Sequence, residues 1–115
     1  MAFEQHWKTE RSFWLDGPDF HANHLAEAAC MVFPAPVGIL SGSAITEALT
    51  QAPRWTDVDF EATCETVSKD TVVLAYKAIG QRPDALGPAY AAYCASTYVR
   101  EGDAWKLLAH QQSPA

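Results

Sequence analysis

The groups in this chain best suited to moving a proton are its four histidines and four tyrosines. Histidine exchanges protons near neutral pH without much tuning, so His110, beside Gln111 and Gln112, is a candidate general base. Tyr76 is a second candidate acid/base. It alternates with Lys77, whose charge should face water, and this turns Tyr76 inward. A buried phenol needs a hydrogen-bond partner, either in the core or on a ligand. His21 and His24 are about one helical turn apart, a spacing that can grip a metal. No third ligand stands near them, so they read as a solvated helix end, and no metal or other cofactor is expected. Cys30, Cys64 and Cys94 are odd in number and widely spaced. They form no CxxC or Cys/His grouping, and each lies in an apolar stretch as a free, small hydrophobe.

These side chains must be positioned by a single core. The chain has 115 residues, the length of one domain (1–115), and 49% of them are apolar, enough to fill that core without staples. Eight basic residues against 14 acidic ones leave a net charge of −6. The basic residues are scattered, which disfavours nucleic acid and anionic membrane surfaces as partners. No apolar run approaches the roughly 20 residues of a membrane helix. The start Met1-Ala2-Phe3-Glu4-Gln5-His6 has no signal-peptide character, and the expected location is the cytoplasm.

Phe3, Trp7 and Trp14 fall at helical intervals and predict an amphipathic helix of about four turns. Glu10 and Arg11 interrupt its aromatic stripe. Asp16-Gly17-Pro18 ends it, and a short helix from Pro18 to His24 follows. Ala28 to Phe33 reads as a strand closed by Pro34-Ala35-Pro36. Val37 to Leu40 then leads to a serine-capped helix with Ile45, Ala48, Leu49 and Ala52 on one face and Pro53 as its stop. From Thr56 to Glu65 apolar and polar residues alternate, predicting a strand with Val58, Phe60, Ala62 and Cys64 on its buried face. Further strands are predicted at Thr71–Ile79, Tyr90–Arg100 and Trp105–Gln112, with a loop over Gly80–Pro88. Sequential strands with short turns make an antiparallel meander, covered on one face by the N-terminal helices.

This order resembles the nuclear transport factor 2-like (SnoaL-like) superfamily over nearly the whole chain. Ser41-Gly42 followed by Ile45 and Leu49 is similar to that family's third-helix pattern. Tyr98-Val99-Arg100-Glu101-Gly102-Asp103-Ala104-Trp105, with the aliphatic and His/Gln residues that run on to Pro114, looks like its closing hairpin. The chain is most similar to the stand-alone bacterial domains of unknown function. The resemblance implies an α+β fold, a strongly curved antiparallel sheet forming a cone around the N-terminal helices. Such a cone opens into an apolar pocket, for which Trp14, Phe20, Met31, Phe33, Trp55, Phe60, Tyr76 and Trp105 are the candidate lining.

Ketosteroid isomerase-like members place a carboxylate base in that cone. From Ala28 to Thr46 this chain has no Asp, Glu or His, and the apolar faces of its later strands carry no carboxylate, which argues against that mechanism. In the last strand Trp105, Leu107, Ala109 and Gln111 share one face. With that face inside, Gln111 reaches the pocket and His110 lies on the convex side; with the other face inside, His110 is the base. Apolar residues on both faces of the last two strands require a second cover. The expectation is a homodimer through the convex sheet face. Three functions stay open: binding of a small apolar molecule; an isomerase-, dehydratase- or cyclase-like enzyme using His110 or Tyr76 with Gln111 orienting the substrate; and a dimeric interaction module with a filled core.

Overall fold

The computed structural model of the chain describes residues 3–51, 55–82 and 89–115. Ala52, Pro53 and the Pro83–Pro88 part of the expected loop lie outside the described residues. Helices α1 (Phe3–Leu15) and α2 (Pro18–His24) lead directly into strand β1 (Leu25–Val32). Strand β2 (Ile39–Ser41) and helix α3 (Ser43–Gln51) follow. Strands β3 (Asp57–Ser68), β4 (Thr71–Gln81), β5 (Tyr90–Glu101) and β6 (Ala104–Pro114) complete the chain. Among the described residues the strands form one curved, unclosed sheet in the order β2-β1-β6-β5-β4-β3, with the helices packed against it.

The C-terminal meander is antiparallel as expected, but β1 pairs parallel with β6, with Met31 opposite His110. The long connection that leaves β1 through β2, α3 and the first meander strands allows β6 to return beside β1 in that sense. Val37–Leu40, expected as a plain lead-in to α3, instead contributes β2. Phe33 N–H donates to Gly38 O at 2.9 Å, and Gly38 adopts φ +72°, so the chain reverses and pairs with β1.

The buried face of α1 is not the Phe3–Trp7–Trp14 stripe alone. His6, Glu10, Phe13 and Trp14 are its buried residues, while Phe3 and Trp7 are partly exposed. The core they join contains Ile45, Val72, Leu74, Ala78, Tyr98 and Leu107, all at 1% exposure or less. The predicted alternation of β3 holds only for its first half. Val58 is buried, but Ala62 and Cys64 are exposed. A bulge between Glu61 and Cys64, with Ala62 at φ 51°, breaks the alternation in this edge strand, and both faces beyond it meet solvent.

Candidate functional site

Helix α1 carries a carboxylate into the middle of the protein. Glu10 follows Trp7 by three residues and precedes Trp14 by four, so packing of the aromatic stripe takes it inside, where it is 1% exposed. A buried carboxylate is tolerable only if donors replace its lost water. The sheet provides three. Oε2 accepts from the Tyr76 hydroxyl and from Ser96 Oγ at 2.6 Å, and Oε1 accepts from the Tyr98 hydroxyl at 2.6 Å. Trp14 Nε1–H donates to the Tyr76 oxygen at 3.0 Å, which fixes that hydroxyl's hydrogen toward Glu10.

Burial, and next the charge of Glu10, hold the Tyr76 and Tyr98 phenols well above their ordinary value, so both remain donors. The Cys94 thiol is pushed up to about 12 by the same two causes, leaving it an unreactive core group.

Ser96 joins this centre to His110. Its Oγ lies 2.6 Å from His110 Nδ1, and that nitrogen is 3.7 Å from Glu10 Oε2. On the other side of the ring, Nε2 is 2.9 Å from Gln112 Oε1. Gln112 Nε2–H donates to the Tyr90 hydroxyl oxygen at 2.9 Å. The result is a continuous hydrogen-bonded chain, Glu10–Ser96–His110–Gln112–Tyr90, running across β5 and β6.

That chain edges a cavity of about 380 Å³, within the range of small-molecule sites. Glu10, Tyr90, His110 and Gln112 supply its polar side. Its apolar side includes Met31, Phe33, Leu40, Ile45, Leu49 and Leu107. Trp55 and Arg82 complete the wall. The Arg82 guanidinium sits 3.9 Å over the Trp55 ring, which stacks on Tyr90 with centroids 5.3 Å apart. Gly80 lies against Trp55 so closely that an added Cβ would be 2.9 Å from the ring.

Trp14, Met31, Phe33, Trp55 and His110 all come together at this cavity. Tyr76 stands one layer behind it, bonded to Glu10 and Trp14. Phe20 packs instead on Phe13 and His24, at 5.0 and 3.9 Å between centroids. Phe60 packs on Trp7 and Tyr76, and Trp105 meets His6 edge-on at 4.9 Å. None of these three lines the cavity.

Gln111 is exposed, and the expected facing of the last strand is corrected beyond Leu107. Trp105 and Leu107 do face inward, but the pairing slips between Thr97 and Tyr98, so Leu107 sits opposite Tyr98 and Ala109 opposite Thr97. Leu108 is the extra residue. The inward set therefore continues as His110 and Gln112 rather than Ala109 and Gln111. His21 is likewise not a solvated helix end. It is 2% exposed, its Nδ1 is 3.0 Å from Gly17 O, and it lines the cavity. Among the described residues no group of three His, Cys, Asp or Glu side chains is placed to hold a metal.

No family model matches the chain, and no curated protein matches it. Solved structures do. An NTF2-like protein of unknown function in nutrient uptake from Rhodospirillum rubrum superposes with a TM-score of 0.81 at 16% identity, covering 100% of this chain and 99% of that one. An NTF2-like protein of unknown function from Prochlorococcus gives 0.80 at 8% identity, covering 100% and 94%. The S. rosetta CaMKII hub gives 0.67 at 16% identity, covering 84% and 81%. The chain thus has the nuclear transport factor 2-like fold, an α+β cone of helices on a curved sheet. At these identities the likeness extends to the fold and no further.

Proposed function

We propose that the chain is a single domain that binds a small, mainly apolar molecule in the cavity, and that His110 moves a proton on the bound molecule. One observation carries this reading: the only fully buried carboxylate among the described residues is tied through Ser96 to a histidine that edges an apolar cavity. An orienting group, a histidine and a space for substrate are the parts that general acid–base chemistry requires. Isomerisation, dehydration and cyclisation are the reaction types that such a set serves without a cofactor. The carboxylate that seemed to be missing is present, but it comes from α1, and it orients His110 rather than facing the substrate alone.

The test is hydrogen–deuterium exchange by NMR on a panel of small ketones, aldehydes and enones in heavy water. At least one member should exchange an α-hydrogen faster with the wild-type protein than with His110→Gln. If no member exchanges faster with the wild type, the proton-transfer reading fails.

We also propose a homodimer through the convex face. Opposite the buried Leu74, Tyr76 and Ala78 lie Val73, Ala75 and Ile79, and across β5 lie Ala95, Val99 and the exposed Tyr93. Lys77, which lies over the Tyr93 ring, and Thr97 share this largely apolar face, which suits a twofold contact between copies. Light scattering after size exclusion should give twice the chain mass, and a monomer mass at micromolar concentration would count against it. No described helix is long and apolar enough to cross a membrane, and the free cysteines suit the reducing cytoplasm we propose as the location.

A further inference from the structure

The hydrogens along the Glu10–Tyr90 chain can be counted, and the count constrains what the cavity wall offers. An ionised carboxylate only accepts, so Ser96 must give its single hydrogen to Glu10 Oε2. Ser96 Oγ can then only accept from His110, which places a hydrogen on Nδ1. Gln112 meets His110 Nε2 with its carbonyl oxygen and meets Tyr90 with its amide N–H. With the amide in that orientation Nε2 must carry a hydrogen as well, which is the arrangement that suits a protonated His110. Tyr90 accepts from Gln112 in this state, which leaves its own O–H to donate to a molecule in the cavity that Tyr90 lines.

With His110 neutral, Nε2 becomes an acceptor. The carbonyl of Gln112 would then face a lone pair, and the amide turns over so that its N–H donates to Nε2. Its oxygen now faces Tyr90, whose O–H turns to donate to it. The cavity then sees only a lone pair on Tyr90. We infer that Gln112 transmits the charge state of His110 to Tyr90, so that Tyr90 is a hydrogen-bond donor to the ligand when His110 is protonated and an acceptor when it is neutral.

This deepens the proposed function and rests on it. The substrate class it selects is a carbonyl compound with a removable α-hydrogen. Nε2 has one lone pair, which the neutral arrangement gives to the Gln112 amide, so the substrate must first displace that N–H. When Nε2 then takes the proton, the C–H electron pair passes into the carbon–oxygen system and the oxygen gains negative charge. The same proton transfer turns the Tyr90 O–H outward to donate to an oxygen of this kind. Return of the proton to another carbon reverses both changes, leaving an isomer and the starting enzyme. Gln112 is a positioning residue, because it acts through Tyr90.

The groups around His110 that bear charge or titrate are few. Helix α1 presents Glu10, β5 presents Tyr90, Cys94 and Tyr98, and the cavity holds His21 and Arg82. On β1 the residue paired with His110 is Met31, and on α3 Glu47 is exposed to solvent. His110 is the histidine bonded to Gln112, whose amide reaches Tyr90, so the change of sign at Tyr90 is assigned to His110.

Two measurements test the inference, the first without any ligand. Nitrogen-15 NMR of the His110 ring across pH should show the neutral ring protonated at Nδ1, and the Gln112 side-chain amide shifts should move with the His110 titration. A neutral ring protonated at Nε2, or amide shifts indifferent to that titration, would overturn it whatever the protein binds. The second uses acetophenone, an acceptor-only probe, followed by NMR. Its affinity should rise about threefold to tenfold as His110 becomes protonated, the worth of one neutral hydrogen bond. Tyr90→Phe and Gln112→Met should abolish that pH dependence, while Gln112→Asn, with a shorter amide, restores it only in part. Binding with an unchanged pH profile in both variants would overturn the inference yet leave the cavity's ligand-binding role standing.

Discussion

Replacing Glu10 by alanine should be among the most damaging single changes available to this protein. The substitution leaves three hydroxyl donors, on Tyr76, Ser96 and Tyr98, without their shared acceptor in the core. Hydrogen bonds to a charged group are each worth about 1.5–3 kcal/mol, but groups on one acceptor do not add. The expected loss is therefore about 3–5 kcal/mol, the size seen when one partner of a buried charged network is removed. Against a total stability of about 5–15 kcal/mol, that is a large fraction. Urea unfolding at pH 7 followed by tryptophan fluorescence would read it as a lower midpoint with an unchanged slope. A triple variant supplies the internal control. Glu10→Leu with Tyr76→Phe and Tyr98→Phe removes the acceptor with two of its three donors, leaving Ser96 its contact with His110, and should be more stable than Glu10→Leu alone by about 2 kcal/mol. A Glu10→Ala loss under about 1 kcal/mol, or a triple variant weaker than Glu10→Leu, would refute the view that the three hydroxyls depend on this carboxylate.

Stability should fall at both ends of the pH range. Burial holds the His6 ring below its ordinary value, so the unfolded chain takes up that proton first. Its contribution is full above about pH 6.5 and is lost as pH falls further. Tyr76, Tyr98 and Cys94 are held above their ordinary values, so the unfolded chain loses those protons first; stability should decline above about pH 9–10 by up to about 1.4 kcal/mol per group per pH unit. Chemical unfolding across pH checks both limbs, and a flat profile from pH 5 to 11 would contradict them. Gly80→Ala should cost about 1 kcal/mol and change the tryptophan emission, because Trp55 must move off the new methyl group. Unchanged emission and stability would show that the ring is not held there.

Hydrophobic periodicity exposed the helices and the meander in this chain, because both are local patterns. Val58 and Phe60 against Asp57 and Asp59 need only period two to be read as a strand. The parallel pairing of β1 with β6 joins residues nearly 80 positions apart, and no local pattern encodes it. The site was harder to read for two physical reasons. The bulge at Leu108 adds one residue to β6, and from there on every facing read by alternation is inverted. That exchanged His110 and Gln112 for Ala109 and Gln111. Glu10 was visible as a fault in the aromatic stripe of α1. A charged residue at a buried helical interval needs donors elsewhere in the fold, and Tyr76, Ser96 and Tyr98, at alternating positions on adjacent strands, were there to be matched to it. Phe20, Phe60 and Trp105 share the composition of the lining residues, and only their packing partners separate them from it.

The measurement that tests the account most directly is an NMR fragment screen on the wild-type protein and on Ala48→Phe, which fills the cavity from α3. The account predicts fragments that shift signals of Phe33, Leu49 and His110 in the wild type, and loss of those shifts in a folded Ala48→Phe protein. Fragments that bind equally well to both, or a wild-type protein that binds none, would contradict a ligand site at this cavity.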